Sequence, residues 1–106
     1  VGEMEDDGTK LLLEANGVAI TTIGSSTYAV VAGNEDHGIE IIDISTPSNP
    51  TSVGRMEDDG TKELLGPRHV AITTIGSSTY VVVAAQDDDG IEIIDISTPS
   101  LPQSVS

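Results

Sequence analysis

The apolar positions along the chain alternate with polar breaks at strand spacing. Val18-Ala-Ile-Thr-Thr-Ile23 is rich in β-branched residues and stops at Gly24-Ser-Ser-Thr27, a polar four-residue connection suited to a hairpin. Tyr28-Ala-Val-Val-Ala32 is apolar throughout, the pattern of a central strand covered on both faces. Residues 34–38, NEDHG, turn the chain, and Ile39-Glu-Ile-Ile-Asp-Ile44 predicts a third strand whose acidic residues interrupt an otherwise buried run. Thr46-Pro-Ser-Asn-Pro50 ends it, because two prolines remove amide donors and fix φ. A fourth strand follows at Thr51–Glu57, polar enough for an outer edge.

The same series then starts again. Laid over each other with an offset of 52 residues, Val1–Ser52 and Val53–Ser104 agree at 39 of 52 positions. Self-similarity at such a period marks solenoids, propellers and arrays, whose units bury their faces against neighbours. Four antiparallel strands per repeat describe a β-propeller blade, with the first strand nearest the axis and the fourth at the rim. The expected fold is therefore all-β: two four-stranded antiparallel propeller blades per chain, completed by other chains. Residues 1–52 form the first repeat, rim strand first, 53–104 the second, and 105–106 the start of an incomplete third. A β-solenoid or a two-hairpin sandwich fits the same strands. Gly60–Arg68 is long for a connection between blades and is expected to hold one helical turn or an extended crossing.

Gly38-Ile-Glu-Ile-Ile-Asp-Ile-Ser-Thr-Pro-Ser-Asn-Pro50, followed by Val53-Gly54, resembles the LVIVD-type repeat of bacterial and archaeal propellers. In that repeat a glycine-led apolar strand ending in Asp-x-Ser runs into P-x-x-P; Tyr80-Val-Val-Val-Ala84 resembles its preceding strand. The resemblance implies a propeller that is exported or surface-associated and has no assigned enzymatic activity. The sequence departs from the repeat between Glu57 and Arg68, where it carries a longer acidic insert.

Composition narrows the picture. With no Phe or Trp and only two Tyr, the core must be Ile, Val, Leu and Ala. The absence of Cys excludes disulfides, thiolate metal sites and thiol catalysis. No apolar run approaches the roughly 18 residues of a membrane span, so membrane insertion is not expected. The net charge of -14, from 18 carboxylates against four Lys and Arg, repels phosphate and argues against nucleic acid as a partner. Cations are the natural counterpart. The chain starts at Val1, which fits a processed protein or a piece of a longer one.

Catalysis is not expected. The two histidines, His37 and His69, have Asp89 and Gly17 as their counterparts in the other copy, and no nucleophile, base and orienter stand at readable spacing. The acidic connections carry more chemistry. Asp6, Asp7, Asp58 and Asp59 follow the fourth strand, and Glu35, Asp36, Asp87, Asp88 and Asp89 join strands two and three. In a propeller both connections emerge on one face. Their carboxylates beside tight glycine turns make calcium the candidate cofactor, with a glycan as another ligand class for that face. None fits the twelve-residue calcium loop.

The termini suggest the partner. Val1-Gly-Glu-Met repeats Val53-Gly-Arg-Met, so Val1–Asp7 reads as a rim strand without a blade of its own. Its other strands are expected to be Val70–Ile75, Tyr80–Ala85 and Ile91–Ser97 of another copy, with Val1, Gly2, Met4, Ile91, Ile93, Ile94 and Val105 at the interface. Such complementation is head-to-tail and yields a closed ring or an open fibre.

Overall fold

The computed structural model describes residues 2–4, 15–33, 37–58, 66–85 and 90–105. Eight strands form two four-stranded antiparallel sheets, each a meander in chain order. The first holds β1 (Ala15–Ile23), β2 (Ser26–Gly33), β3 (Gly38–Asp43) and β4 (Thr51–Glu57). The second holds β5 (Pro67–Ile75), β6 (Ser78–Ala85), β7 (Gly90–Asp95) and β8 (Gln103–Ser104). The all-β, two-blade expectation is met, and the polar Thr51–Glu57 is the edge strand beside β3.

The hairpins are tighter than the sequence suggested. Ile23 pairs with Ser26 and Ile75 with Ser78, leaving two-residue turns. Gly24 (φ 63°) and Gly76 (φ 64°) lead those turns in the left-handed region, where a side chain would be strained. Ser26 and Thr27 therefore belong to β2. Both inner strands also begin earlier than the apolar pattern, each with a register shift at the same place, between Ala15 and Gly17 in β1 and between Pro67 and His69 in β5. Pro67 opens its strand, a position that tolerates the missing amide. Residues 59–65, which include most of the long connection, lie outside the described residues.

The core lies between the sheets. Val30, Ile39 and Ile41 of the first sheet and Val81, Val83, Ile94 and Ile96 of the second form one cluster, all fully buried. Ile23, Tyr28, Val53 and Met56 flank it from one side, Val70 and Ile72 from the other. The first and fifth strands pack against each other, so the blades converge at their inner strands. There the backbone comes close: a Cβ on Gly17 would lie 2.6 Å from the Arg68 carbonyl oxygen.

Candidate assembly interface

Alternation along each strand gives every sheet two faces. The face of the first sheet that bears Tyr28, Val30, Ile39 and Ile41 is covered by the second sheet. The matching face of the second sheet bears Ile75, Tyr80, Val82, Ile93 and Val105, which with Thr73 line an apolar cavity of about 310 Å³. Ile91, on that face, is 53% exposed where its counterpart Ile39 is 0% exposed. The outer face of the first sheet is open along its inner strand, where Val18 is 62% exposed, whereas Ala29, Glu40 and Ile42 further out on that face are buried. The counterpart of Val18, Val70, packs against the core.

Gly2, Glu3 and Met4 lie over this outer face, lining a cavity with Ala29, Ile42, Ile44, Pro47 and Pro50. Gly2 sits so close to the Pro47 carbonyl that it has no room for a Cβ. Gly54 of β4 meets the Pro99 carbonyl of the second sheet in the same way. Both partners differ by the repeat offset. Gly2–Met4 thus stands to the first sheet as the rim strand β4 stands to the second.

Of the other interface candidates, Ile91, Ile93 and Val105 share the open face, whereas Ile94 points the opposite way and is buried in the core between the sheets. The rim of the second sheet is partly occupied. Ser104 and Gln103 pair with Ile94 and Asp95, while β4 pairs with β3 along Gly38–Asp43. Among the described residues no strand pairs with the outer edge of β7 at Gly90 or Ile91. Val1 lies outside the described residues, as do the calcium candidates Asp6, Asp7, Glu35, Asp36, Asp59, Asp87, Asp88 and Asp89. Asp58 is described: its amide donates to the His37 carbonyl at 2.7 Å, and its Oδ1 is buried with no hydrogen-bond partner among the described residues. Among the described residues no three acidic or histidine side chains group to hold a metal.

Several residues matter that the sequence reading did not single out. Glu40 and Glu92 are buried on the third strand of each sheet. The Ser52 hydroxyl donates to Glu40, and the Ser104 hydroxyl to Glu92. Arg55 reaches Glu40 with two bonds, Nε to Oε1 at 3.2 Å and Nη2 to Oε2 at 3.1 Å. The interrupted apolar run IEII was the visible signal. His37 takes φ 56°, and its Nδ1 accepts the Gly66 amide at 3.0 Å, tying the β2–β3 turn to the start of β5.

The Asp-Ile-Ser motif clasps the third strand to the second. The Ser45 amide donates to Asp43 Oδ1 at 2.8 Å, and the Thr27 amide donates to Ser45 Oγ at 2.9 Å. Ser97, Asp95 and Thr79 repeat this in the second sheet at 2.8 and 3.0 Å. The Ser45 hydroxyl and then its amide hold the Asp43 carboxyl below its ordinary range; for Asp95 the Ser97 amide leads and the hydroxyl follows.

Two meander sheets stacked face to face, converging at their first strands and each clasped by the same motif, define a propeller-like repeat module. The LVIVD repeat profile matches residues 16–58 and 76–106, and the chain belongs to the LVIVD repeat family. No curated protein matches the chain.

Proposed function

We propose that this chain is a non-enzymatic structural unit, extracellular or at a cell surface, that assembles head-to-tail with copies of itself into a closed ring or an open fibre. One observation carries the reading: Ile39 is fully buried at the internal junction and Val70 and Ile72 pack against it, while their repeat counterparts Ile91, Val18 and Ile20 stand exposed on the two outer faces. The open face of the second sheet matches the covered face of the first, and the open face of the first matches the covered face of the second. Stacking one on the other repeats a junction the chain already makes. Placed so, Gly2–Met4 of one copy runs beside β7 of the next and extends its short rim strand, a form of strand addition.

Sedimentation equilibrium tests it. Wild-type protein should show concentration-dependent multiples of the chain mass, whereas Ile91→Asp and Val18→Asp should each sediment as single chains. Mixed, the two variants should form a dimer and nothing larger, because each retains the face the other lacks. A wild-type protein of single-chain mass at every concentration overturns the proposal.

The buried Asp58 Oδ1, with no partner among the described residues, favours a second reading, in which the acidic connections bind calcium. Calcium should then raise the melting temperature and a chelator should lower it, and Asp58→Asn should abolish the difference. A melting curve insensitive to both sinks this reading.

A further inference from the structure

Resting on the head-to-tail reading, we infer that the junction between copies is a weakened counterpart of the junction within the chain, and that His69 and Glu3 set its strength. The two junctions use equivalent positions, and the residues that differ between them can be placed from the internal one.

At the inner end, Gly17 faces the backbone of β5. A Cβ there would stand 2.6 Å from the Arg68 carbonyl oxygen and 3.1 Å from the His69 Cα. One repeat further on, the position of Gly17 is taken by His69, which is exposed. When the open face of the second sheet meets the next copy, the imidazole is driven against the backbone at Asn16 and Gly17 of that copy. The inner strands cannot approach as β1 and β5 do, and contact between the apolar faces is reduced.

At the rim the difference is one of charge. Within the chain, Arg55 on β4 meets the buried Glu40 across the β3–β4 pair. Its counterpart one repeat earlier is the exposed Glu3, beside Gly2 in the segment that takes the rim position. Added to the rim of the next copy's second sheet, Glu3 therefore comes opposite the buried Glu92, so that a carboxylate stands where the β3–β4 pair of the first sheet has a guanidinium. Like charges at directly opposed positions oppose pairing, most of all where one is out of water.

Restoring the internal residues should tighten the junction. Both positions are exposed, so the fold tolerates His69→Gly and Glu3→Arg, which unchanged melting curves at low concentration would verify. By sedimentation equilibrium each should lower the dissociation constant on the order of tenfold, and the two together by more than either. Glu92→Gln separates the causes: it should remove most of the gain from Glu3→Arg and leave that from His69→Gly. If wild type associates and neither variant tightens it, this inference fails while head-to-tail assembly stands. If Glu3→Arg gains equally with Glu92→Gln, the pairing assigned to Glu3 is wrong and only the lowered net charge acts. If neither wild type nor any variant associates, both proposals fall together.

Discussion

The two sheets are near-copies in sequence and differ in what covers them. Ile39 and Ile91 occupy equivalent positions in the same GIEIID strand, yet one is wholly enclosed and the other stands largely in solvent. Val70 and Val18 show the reverse: in the second sheet the residue is partly buried against the core, and in the first it is exposed. Burial here belongs to the stack and not to the strand. A blade supplies two half-cores, and each becomes a core only where another blade meets it.

The comparison is broken most directly by truncating one isoleucine at a time. Ile39→Ala should cost about 2–5 kcal/mol by chemical denaturation, the usual penalty for emptying a packed site. Ile91→Ala, measured in dilute protein, should stay within about 0.5 kcal/mol of wild type, as exposed substitutions do. Equal losses would show that the open face of the second sheet is covered after all, and the contrast between the sheets would disappear.

The clasps sharpen the comparison from the other side, because they should behave alike in both sheets. Asp43 and Asp95 have lowered pKa values in the folded protein. A carboxylate of this kind stabilises above its unfolded pKa, and the contribution is lost as pH falls through the folded pKa. Asp43→Asn and Asp95→Asn should each reduce, slightly and similarly, the fall in denaturation midpoint between neutral and acid pH. An effect from one clasp and none from the other would mean that stacking reaches the solvent-side ends of the strands.

Much of the architecture was legible because its causes are local. Alternating and continuous apolar runs gave Tyr28–Ala32 and Ile39–Ile44 their places, and the two prolines after Thr46 marked the turn to a polar edge strand. The boundaries were less so. Gly24 accepts a backbone angle that lets the chain reverse in two residues, so Ser26 and Thr27 pair although their side chains read as loop. Ala15 and Pro67 carry no strand signal; they are held by pairing with Gly33 and Ala85. Contacts between repeats were hidden altogether. Nothing in the string shows that Gly17 faces Arg68 or Gly54 faces Pro99, since these depend on how two sheets stack. The acidic connections, most prominent in the sequence, contribute a single described residue, Asp58, to the candidate calcium set.

The meander order of each sheet has a kinetic consequence. Within each sheet every strand after the first pairs with the one before it, through a turn or short connection, and the clasp residues Thr27 and Ser45 are only 18 positions apart. The entropy of loop closure is therefore lost in small steps, each rewarded by a ladder of hydrogen bonds before the next begins. The first sheet has all its pairing partners by Glu57, ahead of the first residue of β5. A chain emerging from the ribosome can complete its first blade as a template, against which the second then condenses.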